Sequence, residues 1–594
     1  MRLFSLKKII VTIMLSFVLA ILLITAPHVY AGEGISTEVH KYRYETDDIY
    51  YSDAYFAHSA TSYDAHLATL SILMTKYSMN PGSPDTYNDT KWYNEQSNRV
   101  KGFFEKIGFD SFLPNDDYKS QPGFDTIGVA AAKKTVGDYT VIGVAVRSGG
   151  YFREWSNNVY LGDGSQSDYM HEGWYNAANK LISHLKKFID QNGINGKIKL
   201  WMSGFSRGGA VTNLAAGLID NHLNDSTYIS NKVTLTHDDL YAYTFEAPQG
   251  ANVESKTVKY PHDELYNNIY NVVNPNDLVT KVAMKNFGFT RFGIDKFITT
   301  KFYDPDNFNN NRDVLKKIYS ESHNDINKFN VDKFDMKGIT GEKIAGILGA
   351  TVVSGPIGGA LTGLAIEKLS GIVSADNRKA NYDANIVVSL AIDELCSSIG
   401  NRTNYAMYYQ PLMKSLLFAI MSDTKVDEAS AMTNLIYNFL IESMLNRYGI
   451  SGSFLSKVYK DYDSEVSGKN LIFLASALIN AFIEKPNEMI SLIVNLSSIF
   501  QNHDTELNAA HLKSQDDYYI NAYNEKHPDA KISVVPLRDN ADLVRIALYG
   551  YNSVQVEDEA KKTVVDVDGH VFGRSDIKKC DPKFATGYYS YITE

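Results

Sequence analysis

One stretch, Lys197–Asp220 (KIKLWMSGFSRGGAVTNLAAGLID), constrains the fold more than any other. Ile198, Leu200 and Met202 alternate with other residues, which predicts a short strand. Beyond it, Val211, Leu214, Ala215, Leu218 and Ile219 recur at helical spacing, which predicts a helix. Between the two lies Gly204-Phe205-Ser206-Arg207-Gly208, a G-x-S-x-G pattern. Strand, sharp turn and helix is the context in which this pattern holds a serine exposed at a helix N-terminus. The turn is tight, so a Cβ at either glycine is expected to strike neighbouring backbone. Ser206 is the predicted nucleophile, and the Arg207 N–H points where an oxyanion would form. The plainer reading is a glycine turn that only packs a helix on a sheet, and the flanking strand and helix argue against it.

Ahead of this stretch, Thr126–Ala132 and Tyr139–Val146 are strand-like, with Gly137-Asp138 as a hairpin turn between them. The second run passes into Arg147-Ser148-Gly149-Gly150-Tyr151, where glycines let backbone approach a ligand closely. Gly149 and Gly150 are therefore candidates for the second oxyanion N–H beside that of Arg207. Tyr55–Tyr77, Gln96–Ile107 and Gly173–Asp190 carry helical apolar spacing, and Gly32–Tyr51 reads as an extended lead-in. Past the Ser206 helix, Leu240–Phe245 and Ile269–Val273 are expected strands. The latter ends in Asn274-Pro275-Asn276-Asp277. An acid just past a strand's C-terminal end shares the edge of a parallel sheet where such folds place their sites, so Asp277 is the candidate to orient a histidine. A capping or Asx-turn role is the alternative for Asp277.

From about Thr300 to Phe500 strand patterns give way to Leu-, Ile- and Ala-rich helical segments, which predicts a helical cap inserted into the core. Within it, Ile344–Ile366 has no charge, six glycines and a central Pro356. A mobile or buried apolar hairpin, suited to a lid over an acyl site, is preferred to a membrane span. The core is expected over about Tyr51–Thr300, completed by Asn502–Asn524. The tail from about residue 531 is strand-like again, with Asp568-Gly569 as a hairpin turn. Asp304-Pro305-Asp306 lacks the glycine and glutamate of a calcium loop, and the reading calls for no metal and no cofactor.

The N-terminus reads as a targeting segment: Arg2, Lys7 and Lys8 precede the uncharged run Ile9–Ala26, and Val29-Tyr30-Ala31 offers a cleavage site. Secretion after cleavage at Ala31 is the expectation, with an uncleaved surface anchor as the alternative. The net charge is −11, and all three of those cations leave with the segment, so charge gives no reason to seek nucleic acid. Cys396 and Cys580 are the two cysteines, too few for a disulfide framework.

These residues resemble a known family, the class 3 lipases, particularly the secreted Gram-positive lipase-family proteins. His171-Glu172-Gly173-Trp174 is similar to the family's H-x-G-F, and Gly204–Gly209 to its G-H-S-L-G-G. Tyr243–Asn252 resembles its Y-T-F-G-x-P-R-V-G-N, and Val273–Val279 its V-x-x-x-D-x-V, which carries the triad acid. Arg147-Ser148-Gly149 stands in the place of its oxyanion motif. The resemblance spans about residues 126–293. It implies an α/β-hydrolase core and a Ser–Asp–His triad acting on carboxylic esters, typically acyl lipids, with contact at a lipid interface.

The triad order of this fold puts the histidine after Asp277. His323, His503, His511, His527 and His570 qualify. His511 is preferred, because Ala510-His511 before Tyr518-Tyr519 resembles the family's pattern, and His503 is the runner-up. The expected enzyme is a secreted serine ester hydrolase working through Ser206, Asp277 and His511. The competing class is a non-catalytic surface or wall-associated binding protein that keeps a hydrolase scaffold.

Overall fold

The computed structural model describes residues 35–36, 38–80, 90–118, 126–148, 154, 157–258, 261, 264–274, 276–298, 313, 315–321, 389, 392–393, 396–397, 399–410, 499, 502–526, 528–529, 531, 563–567 and 570–573. Sequence expectations that lie outside them include the segment at Met1–Ala31, Gly149 and Gly150, the calcium-loop look-alike at Asp304, the candidates His323 and His527, the apolar run Ile344–Ile366, most of the helical block and most of the tail with its Asp568-Gly569 turn.

The chain enters through a hairpin, β1 (His40–Tyr44) and β2 (Asp47–Tyr51), rather than the extended lead-in that the Tyr-rich composition suggests. The turn turns on Glu45, whose φ of 47° is positive without a glycine to announce it. Helix α1 covers Ala65–Tyr77, ten residues short of the sequence expectation at its start. The Asp64 side chain accepts the His66 and Leu67 N–H groups, so a local cap overrides the apolar spacing upstream. Helix α2 (Thr90–Lys106), β3 (Asp110–Pro114), β4 (Val129–Val136), β5 (Tyr139–Val146) and α3 (Glu172–Gln191) follow. Then come β6 (Gly196–Phe205), α4 (Ser206–Asn221), β7 (Val233–Thr234), β8 (Leu240–Phe245), β9 (Ala251–Asn252) and β10 (Ile269–Val273). Short β11 (Phe289–Thr290) pairs with β9, and β12 (Ile294–Phe297) returns to the main sheet. Helix α5 (Thr505–Lys526) closes the core. Strands β13 (Thr563–Val567) and β14 (His570–Gly573) form a separate antiparallel pair.

The central sheet runs β12-β10-β8-β6-β5-β4-β3, with β7 beside β6. From β12 to β5 every pairing is parallel, and β4 and β3 are antiparallel. Parallel strands are covered on both faces and read as nearly continuous apolar runs. All six residues of β8 are buried accordingly. The period of two sorts them. Trp201, Phe205, Tyr241, Tyr243 and Tyr270 face a layer with Leu67 and Leu70 of α1 and Phe103 and Phe104 of α2. Leu200, Met202, Leu240, Ala242 and Ile269 face Trp174, Leu181 and Leu185 of α3 and Val211, Leu214 and Leu218 of α4. This helix–sheet–helix sandwich is the α/β-hydrolase arrangement. It brings the C-terminal ends of β6, β8 and β10 side by side.

Described pieces of the helical block pack beside the site: Tyr319 Oη donates to Asp504 Oδ2 at 2.9 Å, and a second piece binds the loop before α3. Arg402 donates from its guanidinium to the carbonyls of Leu161, Gly162, Tyr169 and Met170, in the loop before α3. Tyr405 Oη adds a bond to the Val159 carbonyl at 3.1 Å. Burial pulls the Arg402 guanidinium down to about 10.

Candidate active site

Strand β6 ends at Phe205, and α4 begins at once with Ser206. Ser206 holds φ at 56°, in the left-handed region that a serine rarely adopts. The glycines around it have no room for a side chain. A Cβ on Gly204 would sit 2.3 Å from the Gly208 oxygen, and one on Gly208 would sit 2.7 Å from the Arg147 oxygen. The turn is therefore fixed by backbone crowding, and the serine sits at the N-terminal end of the helix.

His503 Nε2 lies 2.7 Å from Ser206 Oγ, and its Nδ1 lies 2.6 Å from Asp277 Oδ2. A carboxylate accepts, so Nδ1 carries the proton and Nε2 is free to accept from the serine hydroxyl. Asp277 is fully buried, and its other oxygen accepts the Val279 N–H at 2.8 Å. The Phe205 ring lies against the imidazole, 4.8 Å between centroids. The two loops are tied directly, with Asn274 Nδ2 donating to Asn502 Oδ1 at 2.9 Å.

This geometry corrects the choice of histidine. His511 lies within α5, buried, and takes no part in the Ser206–Asp277 hydrogen bonds. Burial drives its imidazole down to about 3. The reason is local: Asp504 accepts the Glu506 N–H at 2.8 Å and opens the helix, so His503 stays on the loop ahead of it and His511 is wound into it. The string Asn502-His503-Asp504-Thr505-Glu506 carries that signal in its cap residues. His171, by contrast, is structural. Its ring stacks on Trp174 at 3.5 Å and caps α3, donating from Nε2 to the Asn158 carbonyl at 3.0 Å.

Helix α5 is anchored from below. Lys76 of α1 reaches Asp47 at 2.7 Å and Glu506 at 2.8 Å, and Lys513 also pairs with Asp47. Burial pushes the Asp47 carboxyl up, but Lys513 and Lys76 outweigh it and hold it at about 2.

Of the oxyanion candidates, Arg207 directly follows Ser206 in the first turn of α4. Its side chain is buried near Glu154, which pairs with Arg147 at 2.6 Å. Gly149 and Gly150 lie outside the described residues. No cluster able to hold a metal occurs among the described residues.

The sheet order and the serine turn define an α/β-hydrolase. Residues 145–287 match the family model Lipase (class 3). No curated protein matches it. Among solved structures, a triacylglycerol lipase described by its serine-protease-like triad is 17% identical, over 40% of this chain and 78% of that one, with a TM-score of 0.26. The lipase of Rhizopus microsporus var. chinensis is 15% identical over 46% and 80%, with a TM-score of 0.26. Lip2 lipase of Yarrowia lipolytica is 14% identical over 45% and 83%, with a TM-score of 0.25.

Proposed function

We propose that this chain is a secreted serine esterase acting on acyl lipids through Ser206, His503 and Asp277. The observation that carries the reading is the unbroken Ser206–His503–Asp277 hydrogen-bond chain on a strained serine turn. His503 Nε2 takes the hydroxyl proton as Ser206 Oγ attacks the ester carbonyl carbon. Asp277 holds the proton on Nδ1 and balances the imidazolium that forms. The Arg207 N–H receives the oxyanion, with an N–H of Gly149 or Gly150 as the second donor that the sequence offers. Collapse of the tetrahedral intermediate expels the alcohol, which leaves with the proton from His503. A water activated by the same imidazole then frees the acid.

The leader-like Met1–Ala31 supports export. No helix among the described residues is long and apolar enough to cross a membrane. A fluorophosphonate probe should label the wild-type protein and fail on Ser206→Ala. p-Nitrophenyl esters of increasing acyl length, with and without micelles, should show turnover that rises with chain length. A wild type that neither labels nor turns over any ester would return the chain to a binding scaffold.

A further inference from the structure

A second carboxyl sits beneath the acid of this site. Glu246 ends β8, one residue past Phe245, and is fully buried. Both of its oxygens lie 2.9 Å from the Asn274 N–H, in the same loop that carries Asp277. Its side chain is within hydrogen-bonding reach of Asp277 and of Asn508 of α5. The backbone at Glu246 is held at a φ of 46°, a conformation glycine would adopt without strain. A long acidic side chain at a buried, strained position beside another acid is a local conflict, and such conflicts concentrate at functional sites.

Two carboxyl groups in contact and shielded from water do not both ionise. Asp277 accepts from His503 Nδ1 and the Val279 N–H, so the negative charge belongs there. The titratable group facing Glu246 is Asp277 and, through it, His503, while Asn508 and Asn274 are uncharged. The proton therefore resides on Glu246, and its O–H has an acceptor in Asp277. Burial, with the Asp277 charge adding to it, pushes the Glu246 carboxyl well above the usual carboxylate range.

We propose that Glu246 is a positioning residue of the esterase site: a neutral carboxyl that donates a hydrogen bond to Asp277, fixes its rotamer and moderates the charge felt by His503. The proposal rests on the Ser206–His503–Asp277 reading and deepens it. The site then carries one negative charge in its resting state, with two carboxyls sharing one proton. The substrate reaction is unchanged, because Glu246 neither gives up nor takes a proton during turnover.

Two variants and two readouts test this. Glu246→Gln keeps a neutral donor of the same shape. Glu246→Met keeps the volume and removes the donor. The acid limb of kcat/KM on a soluble p-nitrophenyl ester reports His503, and so does the pH titration of its downfield Nδ1 proton resonance, which needs no turnover. Expected is an acid limb unmoved in Glu246→Gln and raised by about one unit in Glu246→Met, because an undonated Asp277 favours the imidazolium. kcat should stay within a fewfold for Gln and fall about tenfold for Met. An acid limb that drops in Glu246→Gln would mean that Glu246 is ionised in the wild type, and would overturn the proposal. Acid limbs unmoved in both variants, with native circular dichroism, would make Glu246 merely structural and overturn it as well. If no ester is turned over but the resonance titrates as expected, the esterase reading fails and the Glu246 assignment stands.

Discussion

The serine turn and the histidine segment meet at 2.7 Å, yet they are built in opposite ways. Ser206 is positioned by its own neighbours: the strand before it, the helix after it and two glycines within two residues on either side. His503 is positioned by residues far away in the chain. It is 297 residues from Ser206 and 226 from Asp277, and Lys513, which helps to anchor its helix, is 466 residues from Asp47. A site residue fixed by local crowding can be read from a pattern. For one brought in by a distant helix, the sequence can say through the Asp504 cap which histidine stays on a loop, but only the docking brings it to Ser206 and Asp277.

The contrast predicts different failures on the two sides. The largest effect falls on the chemistry. Asp277→Asn should lower kcat by about 10⁴-fold with little loss of stability, since it leaves His503 in the wrong tautomer. Burst kinetics on a p-nitrophenyl ester would measure it. A loss below tenfold would mean that Asp277 does not orient the base.

Next is the anchor of α5. Lys76→Met leaves buried Asp47 and half-buried Glu506 with one cation fewer, which should destabilise the fold by about 3 kcal/mol. Lys76 touches none of the reacting groups, so kcat of the protein that remains folded should drop by far less than in Asp277→Asn. Urea unfolding alongside activity at low temperature separates the two quantities. Equal losses in both would contradict a purely anchoring role.

The smallest effect is on acid stability. His511 has its folded-state pKa depressed to about 3, while the unfolded chain titrates near the ordinary value of about 6.5. The unfolded state therefore binds the proton first. The stability contributed by the neutral ring is present above about pH 6.5 and is lost as pH falls towards 3. Asp47 adds a second loss lower down, as pH falls from about 4 towards 2. His511→Leu should flatten the stability profile between pH 6.5 and 4 without moving the activity profile. An unchanged slope would mean that the His511 ring is hydrated in the folded protein.

Much of the fold was legible for the same reason as the serine turn. The Gly137-Asp138 turn, the apolar face of Glu172–Gln191 and the buried runs of β6, β8 and β10 are local patterns, and the structure has them within a few residues. Asp277 was readable because a strand end sets its place. The β1–β2 hairpin was not, since its positive-φ residue is Glu45 and not a glycine. The start of α1 at Ala65 depended on the Asp64 cap, against apolar spacing that runs on upstream. Glu246 stands where the resembled Y-T-F-G-x-P pattern has a glycine, but that pattern alone does not say why. Its meaning lies in the proximity of two carboxyls on neighbouring strand ends, which only the parallel pairing of β8 and β10 creates.

The central claim is that His503, and not His511, is the base that serves Ser206. Initial rates of ester hydrolysis by His503→Ala and His511→Ala, each corrected for folded protein, test it most directly. The account predicts a fall of about 10⁴-fold or more in kcat for His503→Ala. It predicts less than a tenfold change for His511→Ala, whose cost appears in stability. Full activity in His503→Ala, or a comparable collapse in a well-folded His511→Ala, would contradict it.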